Sequence, residues 1–266
     1  MENHSASDHY TIHKVRTGPR GGTPVVLVHA VGLDLTLWGS QIAALQQDYD
    51  VVALDLPGHG LSEQLPGELS FTKFAAVLIR LITDLNAGPV HLAGISFGGM
   101  VIQTAALERP DLVRSLTLIG TSCTFPEPVR TALKERARFV RNEGIRALAP
   151  VSLARWFTPG FAERRPDVID LITKILIRQE PLFHASMWDM ISTLDNLEGL
   201  KQISVPAMVI VGEEDTSTPV LTAEMLSEAL HTEHIHVVPN ASHLVVLEAP
   251  EIINDLLLGF FASFKQ

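Results

Sequence analysis

This sequence of 266 residues is poor in cysteine and in basic side chains, and it has no long uninterrupted apolar run. Its single cysteine, Cys123, excludes an internal disulfide and a metal site built from several thiolates. Lys and Arg total 20 against 30 Asp and Glu, and the charge of −10 argues against binding nucleic acid through its phosphates.

The sequence also shows no segment that resembles a transmembrane helix or a signal peptide. Every apolar stretch is interrupted by charge or proline before the roughly 18 residues that a transmembrane helix needs. The polar start Met1–Asp8 contains no apolar core and does not resemble a signal peptide. We therefore expect a cytoplasmic protein whose partners are neither membranes nor nucleic acids.

Short apolar runs alternate with longer segments of helical spacing along most of the chain. Such runs predict strands buried on both faces, as in a parallel sheet. The predicted strands are Pro24–His29, Val51–Asp55, Val90–Gly94, Ser115–Gly120, Ala207–Gly212 and His234–Val238. The predicted helix Phe71–Leu85 follows Ser70, a suitable N-cap. The alternation predicts an α/β fold with a mostly parallel, doubly wound sheet.

The region 125–199 breaks this alternation, because it has helical patterns, several prolines and no convincing strand. Its length of roughly 75 residues exceeds what one crossover connection needs. We therefore predict a helical cap at 125–199, inserted into a core made of residues 1–124 and 200–266. A set of ordinary crossover helices is the alternative.

The strongest chemical motif is Gly94-Ile95-Ser96-Phe97-Gly98, which follows a predicted strand and opens a predicted helix. This context is typical of a nucleophile elbow, in which a tight turn presents a serine hydroxyl at the edge of the sheet. The turn requires small residues two positions before and after the serine, and Gly94 and Gly98 satisfy that. A glycine-rich turn without chemistry is the alternative interpretation.

A serine nucleophile needs a base, and the base needs an orienting acid, in the chain order serine, acid, histidine. Asp215 and His243 each follow a predicted strand, and 119 residues separate Ser96 from Asp215, which leaves room for the cap. Glu214 and Glu213 are rival acids in the same loop. The other histidines include His29 and His59, which precede Ser96, and a group at 231, 234 and 236 that lacks a carboxylate at zinc-ligand spacing.

The oxyanion formed in such chemistry requires two backbone donors. Phe97 N–H lies at the start of a helix, and Val31 N–H lies in the loop after the first buried strand, so these are the candidate donors. In that loop His29 is expected to brace the backbone. The candidate substrate-binding residues are Trp38, Trp156, Phe157, Phe161, Phe183, Met187 and Trp188. For Trp38, a role as a core anchor is the alternative.

Several motifs occur together in an order that resembles the α/β-hydrolase superfamily. They are His29-Ala30-Val31-Gly32, Asp55-Leu56-Pro57-Gly58-His59-Gly60, Gly94–Gly99, Gly212-Glu213-Glu214-Asp215 and Ser242-His243. The resemblance covers the chain from about residue 25 to its end. It implies an α/β-hydrolase fold with a lid and a Ser–Asp–His triad that uses no metal and no cofactor. The local sequence Gly32–Trp38 is similar to the 3-oxoadipate enol-lactonase group and related small esterases.

These patterns predict a serine hydrolase that cleaves a carboxylic ester or lactone of small to medium size. The apolar cap candidates favour a largely uncharged substrate. Arg138, Arg155 and Arg178 lie in the cap, and none of them stands out as a carboxylate clamp. The same triad would also suit a C–C bond hydrolase, a cofactor-free perhydrolase or a ligand receptor with a slow triad.

Overall fold

The computed structural model describes residues 10–264, and a seven-stranded sheet forms its centre. The strands are β1 Lys14–Thr17, β2 Pro24–Val28, β3 Asp50–Leu54, β4 Val90–Ile95, β5 Val113–Ile119, β6 Ala207–Gly212 and β7 Ile235–Val238. Their order across the sheet is β1-β3-β2-β4-β5-β6-β7. Only β1 runs antiparallel to its neighbour, and the pairs from β2 onward are parallel. The predicted α/β fold is therefore confirmed.

The central strands are hidden on both faces, as their composition predicts. Every residue of β2, β3, β4 and β6 is buried. Their side chains are mostly branched and aliphatic, which suits a sheet covered by helices on both sides. The peripheral strands β1 and β7 are more exposed. The core thus runs through the middle of the sheet, beneath the loops that carry the chemical motifs.

Helices cover both faces of this sheet. In the core they are α1 Gly39–Leu45, α2 Phe71–Leu85, α3 Phe97–Glu108, α10 Val220–Ala229, α11 Val245–Glu248 and α12 Pro250–Ala262, with short 3-10 turns at Leu35–Trp38 and Pro110–Leu112. Helix α2 has the predicted bounds, and the Ser70 side chain accepts a hydrogen bond from Lys73 N–H at its start. None of the helices in residues 10–264 combines the length and apolarity that a bilayer crossing requires.

The segment between β5 and β6 contains helices joined by short loops, with one isolated antiparallel bridge between Thr124 and Asp195. It holds α4 Glu127–Glu143, α5 Ile145–Trp156, α6 Pro159–Arg164, α7 Pro166–Leu176, α8 Pro181–Ile191 and α9 Leu197–Leu200. Prolines stand in the first turn of α6, α7 and α8, where the missing N–H costs little. Helices α4 and α8 pack against each other above the carboxyl ends of the strands. That this segment acts as a lid stays a prediction.

Candidate active site

Ser96 lies between β4 and α3 in a backbone conformation that serine seldom adopts. Its φ of 52° and ψ of −119° bend the chain sharply. The neighbouring glycines permit this bend, since a Cβ on Gly94 would lie 2.6 Å from Gly98 C, and one on Gly98 would lie 2.2 Å from Val28 O. Ser96 N–H donates to Ile119 O at 2.9 Å, which ties the turn to the adjacent strand. The turn therefore has the geometry of a nucleophile elbow.

The structure brings the three predicted triad residues together at the carboxyl end of the sheet. His243 Nε2 lies 3.0 Å from Ser96 Oγ, and His243 Nδ1 lies 2.8 Å from Asp215 Oδ2. These residues come from the loops after β4, β6 and β7. All three are buried, although Ser96 keeps 8% of its surface exposed at the floor of a pocket. The arrangement can transfer a proton from the hydroxyl to the imidazole.

Asp215 is held as an acceptor by its own loop. Its Oδ1 accepts from Ser217 N–H at 2.7 Å and Thr218 N–H at 2.9 Å, and its Oδ2 accepts from the Thr218 hydroxyl at 2.9 Å. Burial raises the pKa of this carboxyl, but the His243 charge and the bonds from His243 and Thr218 outweigh burial and lower it. Asp215 therefore stays ionised and fixes the imidazole with Nδ1 protonated.

The rival acids do not reach the imidazole. The Glu213 carboxylate accepts from Asn240 N–H, and Glu213 and Glu214 are both exposed, so neither replaces Asp215. Thr218, which the sequence analysis missed, supports the Asp215 carboxylate through its N–H and its hydroxyl. Its position three residues after Asp215, at a loop that precedes a helix, is the signal that could have identified it.

The loop after β2 is fixed by the two histidines that precede Ser96 in the chain. His29 Nδ1 donates to Ala30 O at 2.8 Å, and its Nε2 accepts from Leu56 N–H at 2.9 Å. His59 Nε2 accepts from Gly32 N–H at 3.0 Å. Burial lowers the pKa of both rings, so both are neutral at pH 7 and can accept these bonds.

This bracing leaves the two candidate oxyanion donors beside Ser96. Val31 and Phe97 both line the pocket. Phe97 is the first residue of α3, so its N–H has no partner within the helix. In residues 10–264 no hydrogen bond from Val31 N–H to protein is found. Both amides are thus available to an oxygen held at the pocket floor.

A cavity of about 370 Å³ opens above Ser96, between the sheet and helices α4, α5 and α8. Of the seven predicted substrate-binding residues, Trp156 and Trp188 line it. The other five do not, and the structure corrects the prediction for them: Trp38, Phe157, Phe161, Phe183 and Met187 are buried packing residues. Phe157 stacks on Phe161 at 5.4 Å, and Phe183 lies against Gly58. Side chains of this type serve a core and a pocket wall equally well, so composition did not distinguish them.

The cavity also contains two arginines. Arg155, named in the sequence analysis without a role, and Arg136, which was not singled out, both line its wall. Arg138 is exposed, and Arg178 borders a separate surface groove. In the described part of the chain, no group of three or more His, Cys, Asp or Glu side chains is placed to hold a metal ion.

Comparisons with known proteins agree with this architecture. The model of the alpha/beta hydrolase family matches residues 25–256. "3-Oxoadipate enol-lactonase 2" of Acinetobacter baylyi is 29% identical over 91% of this chain and 89% of its own length. "(E)-2-((N-methylformamido)methylene)succinate hydrolase" of the same organism is 31% identical over 97% of this chain and 96% of its own.

A solved structure extends the likeness to three dimensions. The enol-lactonase from Burkholderia xenovorans LB400 superposes with a TM-score of 0.89 at 28% identity, covering 97% of this chain and 99% of that one. The sheet order, the elbow at Ser96 and the matched residues 25–256 lead to the same assignment. This chain belongs to the alpha/beta hydrolase family.

Proposed function

We propose that this chain is a serine hydrolase that cleaves a carboxylic ester or lactone through an acyl-enzyme on Ser96. The observation that carries the proposal is the hydrogen-bonded series Ser96–His243–Asp215, with distances of 3.0 and 2.8 Å. Ser96 and His243 line a cavity whose size suits a small organic molecule.

The first half of the proposed reaction forms the acyl-enzyme. His243 Nε2 takes the Ser96 proton while Oγ attacks the substrate carbonyl carbon. The carbonyl electrons move to oxygen, where the N–H groups of Val31 and Phe97 stabilise the charge by about 3 kcal/mol each. The C–O bond to the alkoxide then breaks, and the His243 imidazolium gives its proton to the leaving oxygen.

The second half releases the acid product by the same steps with water as nucleophile. His243 takes a proton from water, hydroxide adds to the acyl carbonyl, and Ser96 Oγ leaves with that proton. Asp215 keeps Nδ1 protonated in both halves, so that Nε2 remains the base. In a lactone the leaving alkoxide stays attached to the acyl group, and the product is a single hydroxy acid or its keto form.

The names of the relatives support a hydrolase that acts on small molecules. They include a 3-oxoadipate enol-lactonase and a hydrolase of a substituted succinate. Both share at least 89% of their length with this chain, so the likeness includes the helical region above the site as well as the sheet.

Turnover of activated esters with a Ser96→Ala variant tests the proposal. We expect hydrolysis of 4-nitrophenyl acetate and butyrate by the wild type, with a loss of at least about 10³-fold in the variant. Intact-protein mass spectrometry after a short incubation should show one acyl group on the wild type and none on the variant. Ser263→Ala, at an exposed serine outside the pocket, is the matched control. Turnover of the Ser96→Ala variant close to the wild-type rate would refute the acyl-enzyme.

A further inference from the structure

Two guanidinium groups of the catalytic pocket form no ion pair with any carboxylate in the part of the chain that the structure describes. They belong to Arg136 and Arg155, which line the pocket wall. Other arginines of the chain do have such partners. They include Arg16 and Arg20 with Asp50, Arg109 with Asp111, Arg141 with Asp189 and Arg165 with Asp167. The pocket is thus a place where the acidic chain keeps uncompensated positive charge.

Holding these two charges together has a cost. Burial, with the charge of Arg155 acting in the same direction, lowers the pKa of Arg136 to about 10. The group is still protonated at pH 7, in a pocket whose remaining wall is mainly apolar. A cation in such surroundings is stabilised by an anion that enters from solution.

Neighbouring side chains fix the position of the Arg136 guanidinium. Its carbon lies 4.6 Å from the centre of the Trp188 ring, a cation–π contact. The Trp188 indole N–H donates to His184 Nε2 at 2.9 Å. Burial lowers the pKa of His184 to about 4, helped by the charge of Arg136, so this ring is a neutral acceptor at pH 7. The stacked face of the guanidinium is covered by Trp188, which leaves its N–H edges for a ligand.

The second guanidinium is attached to the catalytic loops. Arg155 donates to Thr216 O at 3.2 Å, and Thr216 directly follows Asp215. The Arg155 carbonyl accepts from the Ser242 hydroxyl, next to His243. Arg155 therefore has a defined place relative to the triad, and one hydrogen bond to a backbone carbonyl leaves its other donors available.

We propose that Arg136 and Arg155 bind a carboxylate carried by the substrate, so that the preferred substrate is an anionic ester or lactone. This inference rests on the proposed hydrolase function and names its substrate class. The uncharged part of the substrate packs against the apolar wall, where Met100, Phe125 and Ile191 contribute. The expectation of a largely uncharged substrate, drawn from the sequence, is replaced by this proposal.

A matched pair of substrates tests the inference: the mono-4-nitrophenyl ester of glutaric acid and the methyl ester of the same compound. The two differ in one negative charge and share the scissile bond. The measured quantity is the ratio of kcat/KM for the anionic substrate to that for the neutral one. We expect the wild type to prefer the anionic ester, and Arg136→Gln to lower the ratio roughly 10- to 100-fold, chiefly through KM of the anionic ester. Arg155→Gln should lower it in the same direction.

Three further measurements make the result specific. Arg136→Lys should keep part of the preference, because the charge remains while the planar fork is lost. Arg138→Gln, two residues further along α4 with an exposed side chain, is the matched control and should keep the wild-type ratio. Glutarate should inhibit hydrolysis of the neutral ester competitively in the wild type, and more weakly in Arg136→Gln.

Two outcomes would overturn the inference while leaving the hydrolase intact. One is a wild type that prefers the methyl ester, and the other is a ratio unchanged in both Arg136→Gln and Arg155→Gln. If neither ester shows turnover that depends on Ser96, the proposed function itself fails, and the two failures are thereby distinguished.

Discussion

His91 allows a quantitative prediction about how pH controls the stability of the strand that carries the elbow. It lies on β4, five residues before Ser96, and only 1% of its surface is exposed. Its ring stacks on Phe261 at 4.6 Å, and Nδ1 lies 2.7 Å from Ser115 Oγ. Burial lowers the pKa of His91 from 6.5 to about 4, and the charge of Arg114 contributes in the same direction.

The sign of the effect follows from proton binding. Between pH 6.5 and 4 the unfolded chain binds a proton at this histidine and the folded chain does not. The free energy of unfolding therefore falls as the pH falls through that window. With a pKa near 6.5 in the unfolded chain, the loss attributable to His91 is about 2 kcal/mol at pH 5 relative to pH 8.

The perturbation is His91→Gln, which removes the titrating ring and keeps a polar side chain. Urea unfolding is followed at pH 8, 6.5 and 5 by tryptophan fluorescence and by circular dichroism. Other buried histidines contribute to the wild-type pH dependence, so the informative quantity is the difference between the two proteins. We expect the variant to lose about 2 kcal/mol less than the wild type between pH 8 and pH 5.

The loss of stacking on Phe261 lowers the stability of His91→Gln at every pH and does not affect the comparison. If the wild type and His91→Gln lose the same free energy between pH 8 and 5, the burial argument is refuted.

Two further predictions concern the triad and the elbow. Asp215→Asn should lower kcat for ester hydrolysis by about 10⁴-fold with a small change in KM. The reason is that an amide donating to His243 Nδ1 leaves Nε2 protonated and unable to act as base. Steady-state kinetics measure the effect, and circular dichroism checks that the variant keeps its fold. Gly98→Ala should lower the melting temperature by several degrees, because its Cβ would lie 2.2 Å from Val28 O. Gly259→Ala, with no atom within 4 Å of the new Cβ, is its control and should not lower it.

The fold, and the position of Ser96, Asp215 and His243 at one edge of the sheet, could be predicted because both depend on order along the chain. Buried parallel strands have continuous apolar runs, so their positions are visible in the composition. Connections between parallel strands place the loops after β4, β6 and β7 at one edge of the sheet. A serine, an aspartate and a histidine in those loops therefore lie at the same edge, where the structure places His243 within hydrogen-bonding distance of both Ser96 and Asp215.

The pocket wall could not be predicted in the same way, because it depends on how helices pack. Trp38 and Trp188 are the same residue type, yet Trp38 is buried in the core directly before α1 and Trp188 faces the cavity. Aromatic residues contribute apolar area to either place, so composition does not distinguish them. The distinction depends on where α8 lies against α4, which no short motif specifies.

The inward position of Arg136 could nevertheless have been inferred from the sequence. Four residues of α4 line the cavity: Val129, Ala132, Leu133 and Arg136. The last three follow Val129 by three, four and seven residues, a spacing that places all four on one face of the helix. An arginine that extends an apolar stripe lies on the inward side of its helix, whereas Arg138 lies two residues on and about 200° around the axis. Charged residues in a cap should therefore be judged by helical phase before they are dismissed as surface. Applied to α4, this rule selects Arg136 over Arg138, and the kinetic comparison of Arg136→Gln with Arg138→Gln tests the rule together with the substrate class.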